Sequence, residues 1–216
     1  MGTRRRSGRS TGTAVGRRQD GATAVQLLPH LLAVEALGRP RVGDRLEVVP
    51  AIYAGTIHLG AVHHGVPAPE YWTVDEFGCV DARGTLTTVA LDPAGDCSCS
   101  IEVLAARGRL APVNWAATTP PEADGPAHVD GSLYLDPVLA AGTEHGEAVA
   151  LCRRSFRLAA VRRYRRTASV PVRPVPLGRF PAPSEVSDDA VYVADLVAEG
   201  AELPTTHEGA RDGADA

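Results

Sequence analysis

The residues best suited to hold a metal ion are three histidines and two cysteines in the first half of the chain. His58 is followed by the adjacent pair His63-His64, and Cys97 and Cys99 are separated by one residue. Neutral imidazole and thiolate are suitable zinc ligands, and the side-chain period of a strand would direct both sulfurs to one face. These five residues therefore predict a zinc site. The alternative interpretation is an exposed histidine turn and buried, inert cysteines.

Composition excludes several reaction classes. All 22 basic residues are arginine, so the chain has neither a Schiff-base amine nor the lysine of a phosphate-binding loop. It also has no Gly-x-Ser-x-Gly turn and no glycine-rich turn that joins a strand to a helix. Asp75-Glu76 beside Tyr71-Trp72 is an arrangement that carbohydrate sites use, but a surface turn is the simpler interpretation. We therefore predict no cofactor, and zinc at the histidine and cysteine residues is the one alternative.

The strongest concentration of positive charge lies in residues 153–166, where seven arginines are interleaved with Phe156 and Tyr164. Guanidinium groups can contact phosphates while aromatic rings stack on bases, so this segment could bind an anionic ligand, nucleic acid or another polyanion. The alternative is internal pairing with the acidic residues that follow. The predicted anion-binding residues are Arg157, Arg162, Arg163, Arg165 and Arg166.

Short strands are predicted for most of the chain. Apolar and polar residues alternate in short runs that are bounded by Gly, Asp and Pro. We read turn signals at 82–84, 92–96 and 129–131, and a short helix over 24–37. The pattern predicts a mainly β (β-rich α+β) fold of small antiparallel barrel or sandwich units with one short N-terminal helix. The predicted strands span 46–49, 51–59, 71–74, 85–91, 100–104, 132–135, 156–164 and 191–196.

Composition also predicts how the chain is organised. Residues 1–23 are a basic leader without a core, and 200–216 form an acidic tail, so both are expected to be disordered. Residues 24–116 are predicted to hold the helix and a first β unit, and 128–199 a second β unit. The proline-rich segment 117–127 reads as the linker or long loop between the two units.

Several short segments carry a family resemblance. They are 41–48, the turn His63-His64-Gly65 with Pro67, 84–89, and 160–164 leading to 173–178. In these segments the chain resembles a group of actinobacterial proteins classed as a domain of unknown function. The resemblance implies no activity, substrate or catalytic residue.

The sequence favours a soluble, cytoplasmic, non-enzymatic binding protein, because no reactive constellation is complete. No apolar run reaches the ~18 residues of a membrane-spanning helix, so no membrane partner is expected. Binding of an anionic ligand through the arginine strand is one version of this function. The competing hypothesis is a metal-dependent hydrolase centred on His58, His63 and His64.

Overall fold

The computed structural model describes residues 21–60, 62–63, 66–90, 100–115, 124–137, 149–166 and 173–199. Strands dominate this part of the chain, which confirms the predicted mainly β fold. The first seven strands are β1 (Ala22–Leu27), β2 (Arg45–Val48), β3 (Pro50–Leu59), β4 (Val62–His63), β5 (Val66–Pro67), β6 (Tyr71–Val74) and β7 (Cys79–Ala90). The remaining strands are β8 (Ser100–Ala106), β9 (Arg109–Trp115), β10 (Gly125–Leu135), β11 (Arg154–Arg165), β12 (Val175–Leu177) and β13 (Ala190–Ala198).

The α-helix α1 spans only Pro29–Ala33, and a 3-10 turn spans Pro183–Glu185. The helix predicted over 24–37 is therefore wrong for its first part, which belongs to β1. This strand lies between β13 and β10, and its residues Ala24, Val25 and Leu27 are buried. A strand covered on both faces is apolar almost throughout and does not alternate, so its pattern resembles a buried helix. Proline is tolerated in a first helical turn, and α1 begins at Pro29.

Five strands form a closed barrel. β10 pairs antiparallel with β3 along one edge and with β7 along the other. β7 continues to β8 and β8 to β9, and β9 returns to β3 in a parallel pairing, so the ring has no open edge. The interior is filled by buried aliphatic side chains, including Ile52, Leu86, Leu104, Val113 and Val129.

The remaining strands extend this barrel into an eleven-stranded sheet. β10 pairs with β7 along one edge as far as Ser132, and at Tyr134 the same edge pairs with β1. β1 in turn pairs with β13, and β13 pairs with β11. β2 and β12 both pair with the other edge of β11. The sheet thus joins strands from both predicted β units, and β10 already begins at Gly125, within the predicted linker.

Two of the predicted turn signals lie inside strands and are therefore wrong. Residues 82–84 belong to β7 and residues 129–131 belong to β10. A Cβ atom at Gly84 would lie 2.0 Å from the backbone oxygen of Ala105, and one at Gly131 would lie 2.2 Å from that of Tyr53. Both glycines serve the close approach of neighbouring backbones, since they lack the Cβ atom that would collide.

Candidate functional site

Three adjacent barrel strands, β3, β10 and β7, together with β6 beside β7, present polar side chains in two rows on one surface. The register aligns Tyr71 with Arg83, Arg83 with His128, and His128 with His58. In the second row, Thr73 aligns with Asp81, Asp81 with Asp130, and Asp130 with Thr56. We call this surface the polar face. Its eight residues are Thr56, His58, Tyr71, Thr73, Asp81, Arg83, His128 and Asp130.

Alternation along each strand places these residues outside the barrel. On β10, Ala127 and Val129 are fully buried on either side of His128. On β7, Val80 and Ala82 are buried on either side of Asp81. Because successive side chains point to opposite sides of a strand, the polar residues between the buried ones face solvent.

The centre of the polar face is a cluster of Asp81, His128 and Asp130. The Nε2 atom of His128 lies 2.9 Å from Oδ1 of Asp81 and 3.5 Å from Oδ2 of Asp130. One nitrogen and two carboxylate oxygens, all within 4.8 Å of one another, make up a set of atoms that could hold a metal ion. The imidazole is 21% exposed and the carboxylates about half exposed, so the cluster is open to solvent.

Neighbouring hydroxyl groups orient both carboxylates. The Tyr71 hydroxyl donates to Oδ1 of Asp81 at 2.6 Å, and the Thr56 hydroxyl lies 3.4 Å from Oδ2 of Asp130. Hydrogen-bonding groups of this kind fix the direction of carboxylates that bind metals. The Thr73 hydroxyl donates to the backbone oxygen of Asp81 at 3.0 Å, which ties β6 to β7 beside the cluster.

These contacts change the protonation of two groups. Burial, the hydrogen bond to Asp81 and the charge of that carboxylate together raise the pKa of Tyr71 to about 12. The positive charge of Arg83 acts in the opposite direction but is the smaller effect. Burial alone would raise the pKa of Asp81. The hydrogen bonds with Tyr71 and His128 and the charges of His128 and Arg83 outweigh that effect and lower this pKa. Asp81 is therefore an ionised acceptor at neutral pH, and Tyr71 is a neutral donor.

Asp81 and Asp130 lie directly opposite each other in the antiparallel pairing of β7 and β10. Like charges in this position destabilise a sheet, so a fold selected for stability alone would avoid them. His128 offers one partial remedy, since its Nε2 atom approaches both carboxylates. A bound cation would offer a stronger one, because it would neutralise both charges at once.

Of the five predicted zinc ligands, only His58 has a described side chain. Its ring stacks on that of His128, with 5.9 Å between centroids and 20° between planes. His63 lies in β4, where the backbone alone is described, and His64, Cys97 and Cys99 lie outside the described residues. The zinc site proposed for these five residues thus stays a prediction, but His58 adjoins the cluster that sequence reasoning missed.

Cys79 lies on β7 two residues before Asp81, next to the polar face, and is not an activated nucleophile. Burial raises the pKa of this thiol, and the charge and hydrogen bond of Asp75 raise it further. Asp75 itself accepts hydrogen bonds from the backbone nitrogens of Phe77 and Cys79, which is the behaviour of a turn-capping residue. A shallow cavity of about 450 Å³ lies between this turn and Asp130.

The arginine strand is β11, and one of its predicted anion-binding residues is used internally. Nη2 of Arg162 lies 2.5 Å from Oδ1 of Asp195, and these side chains are only 15% and 6% exposed. The same guanidinium donates to the Tyr164 hydroxyl and to the backbone oxygen of Glu76. The other four predicted residues, Arg157, Arg163, Arg165 and Arg166, are exposed.

Within the described residues, no helix has the length and apolar character needed to cross a membrane. Comparison of the chain with protein-family models, with curated proteins and with solved structures gave no match. The functional proposal accordingly rests on the geometry and chemistry of the polar face.

Proposed function

We propose that the protein is a binding protein that holds a divalent metal ion on the polar face, with Asp81, His128 and Asp130 as ligands. The observation that carries this proposal is the convergence of three ligand atoms from two strands within 4.8 Å. The opposed carboxylates give it a physical reason, because the ion would relieve a repulsion that the sheet otherwise has to tolerate.

The distances between ligand atoms suit a metal ion. Bonds of ~2.1 Å from a metal to nitrogen and oxygen place neighbouring ligand atoms ~3.0 Å apart at right angles and ~3.4 Å apart at tetrahedral angles. The Nε2 atom of His128 is 2.9 Å from one carboxylate and 3.5 Å from the other. Small side-chain rotations would bring all three atoms into one coordination sphere.

The ligand types narrow the choice of metal. One imidazole and two carboxylates favour a divalent transition metal such as Zn²⁺, Co²⁺, Mn²⁺ or Fe²⁺ over Ca²⁺, which prefers six to eight oxygen ligands. Three protein ligands on an exposed sheet leave coordination positions open on the solvent side. Such a site can bind an external group as well as the ion.

The arginine strand supports the anionic-ligand version of a binding function less well. Arg162 is committed to Asp195, and Arg45 at the start of β2 pairs with Glu199 at 2.9 Å. A hydrogen bond from Ser187 lowers the pKa of Asp189, and the charges of Arg165 and Arg163 lower it further. An acidic group therefore lies close to these two exposed arginines. Part of the positive charge is thus compensated within the molecule.

The proposal is tested by titrating the metal-free full-length protein with Co²⁺, whose visible absorption reports coordination, and by calorimetry. We expect one bound ion per chain and a loss of affinity of more than about tenfold in Asp130→Asn and in His128→Asn, since even groups that only orient a ligand have effects of this size. Asp188→Asn and His30→Asn are matched controls, because both residues are exposed and lie outside the polar face.

Absence of Co²⁺ and Zn²⁺ binding in the wild-type protein would refute the proposal. Binding that survives His128→Asn but is abolished in a Cys97→Ser and Cys99→Ser variant would refute it as well, and would assign the metal to the histidine and cysteine site predicted from the sequence. His58→Asn is expected to have a smaller effect than His128→Asn, since His58 contacts the cluster by ring stacking.

A further inference from the structure

Arg83 is the only arginine of the polar face, and it acts on Asp81 through its charge without pairing with it. It lies opposite His128 in the register and two residues from Asp81 on the same strand. Within the described residues it forms no ion pair, and its Nε atom is buried without a hydrogen-bond partner. A guanidinium next to two carboxylates normally makes charge-assisted hydrogen bonds to them. Neither carboxylate, however, is paired with Arg83.

The aromatic ring of Tyr71 accounts for the position of Arg83. The guanidinium carbon lies over this ring, 5.4 Å from its centroid. The same tyrosine donates its hydroxyl hydrogen to Asp81, so a single side chain orients one carboxylate and also holds the guanidinium. This arrangement leaves the terminal nitrogens of Arg83, Nη1 and Nη2, as the donors for an external group at the edge of the proposed metal site.

We propose that the external ligand of the metal is an oxyanion, namely a phosphate or carboxylate group. One of its oxygens binds the metal, and another accepts hydrogen bonds from Arg83. This inference rests on the proposed function, because it requires the ion. Two carboxylates neutralise a divalent ion, so Arg83 leaves the loaded site with one net positive charge, which selects an anionic partner. The planar fork of arginine donors suits either oxyanion.

The experiment uses the full-length protein loaded with Co²⁺ and two soluble probes, methylphosphonate and acetate. Each probe is expected to change the visible spectrum of the bound ion, and the more tightly bound probe identifies the phosphate or the carboxylate class. In Arg83→Gln the dissociation constant of that probe should rise about tenfold, which corresponds to the loss of charge-assisted hydrogen bonds. Co²⁺ affinity should stay the same or increase, because a positive charge near the ion has been removed.

Arg109→Gln is the matched control. Arg109 lies over the Trp72 ring at 5.8 Å, so it shares the arginine–aromatic contact but is outside the polar face. Its replacement should leave both affinities unchanged. Arg83→Lys provides a second test if the glutamine variant folds poorly, since it keeps the charge and loses the fork. It should bind the probe more weakly than the wild type.

The outcomes separate this inference from the proposed function. Failure to bind Co²⁺ is seen before any probe is added and refutes the proposed function. A loaded protein that binds neither probe, or binds both equally well with and without Arg83, refutes the oxyanion inference and leaves the metal site intact. Enhanced phosphorus relaxation of methylphosphonate by the loaded wild-type protein, lost on removal of Co²⁺, would support direct contact with the ion independently of any variant. Unchanged relaxation would count against such contact for phosphonate.

Discussion

Two regions of the same sheet use charged residues in opposite ways. On β11 and β13, Arg162 and Asp195 are largely buried and neutralise each other at 2.5 Å. On β7 and β10, Asp81 and Asp130 carry the same charge, lie opposite each other and are about half exposed. In the first arrangement each buried charge is compensated by its partner, whereas in the second the two like charges repel each other. A cost of this kind is expected where residues are retained for binding.

The Arg162 network also joins the two parts of the sheet. Its guanidinium donates to the backbone oxygen of Glu76 in the turn between β6 and β7, and the Phe77 ring in that turn lies 5.0 Å from the Tyr164 ring. Gln26 of β1 donates to the backbone oxygen of Phe77 at 3.0 Å. The turn that precedes Asp81 is thus held in place by contacts with β1 and β11, so the position of the polar face depends on these two strands.

The largest effect is expected from breaking the buried pair. Arg162→Met leaves Asp195 buried without a partner and should lower the free energy of unfolding by about 3–5 kcal/mol, measured by denaturant titration. Arg157→Met, at an exposed position of the same strand, should change it by less than about 0.5 kcal/mol. The double variant Arg162→Met, Asp195→Leu should recover part of the loss. Equal stabilities for Arg162→Met and Arg157→Met would show that the buried pair does not have the structural role assigned to it.

An opposite and smaller effect is expected on the polar face. Asp130→Asn removes one of two opposed charges and keeps an oxygen that can accept the Thr56 hydrogen bond, so the metal-free protein should keep its stability or gain ~0.2–1 kcal/mol. The same variant should bind the metal more than about tenfold more weakly. Asp188→Asn, measured in parallel, should change neither property. A clear loss of stability in metal-free Asp130→Asn would mean that this carboxylate is structural, and the contrast between the two regions would disappear.

The smallest effect concerns the protonation of Tyr71. The absorbance difference between the wild type and Tyr71→Phe should reveal a phenol that ionises with a pKa of about 12, and Asp81→Asn should bring this pKa back toward its ordinary value of 10. Because the pKa is raised in the folded state, the stability contributed by Tyr71 is complete below pH ~10 and is lost as the pH rises through about 12. An ordinary Tyr71 pKa in the wild type would show that its hydroxyl is not held by Asp81.

The eight predicted strands all overlap observed strands. Those with one buried face, such as β2, have a regular period of two, whereas β13 is a short apolar run that is buried almost throughout. β1 was missed because its apolar residues continue into those of α1, and the combined stretch has nearly the spacing of a helical stripe. β9 was missed as well, and it contains Pro112, which reads as a strand breaker. The glycines at 84 and 131 read as turns, although they lie at close contacts between strands.

The cluster of Asp81, His128 and Asp130 was missed for a different reason. Asp81 and His128 are 47 residues apart, and no spacing in the sequence connects them. A signal was present in each strand, since polar residues at 81 and 83 and at 128 and 130 alternate with buried aliphatic ones. That pattern indicates an outward face, but it does not identify the neighbouring strand.

The sequence by itself determined that the chain is mainly β and that reactions which need a lysine amine are excluded. It also determined that polar and apolar residues alternate along several strands. These are local properties, because they follow from side-chain type and from the period of a strand. Only the tertiary structure decided that β7 pairs with β10, so that two aspartates and a histidine meet, and that Arg162 is paired internally. The reason is that strand pairing between distant segments depends on how the whole core closes.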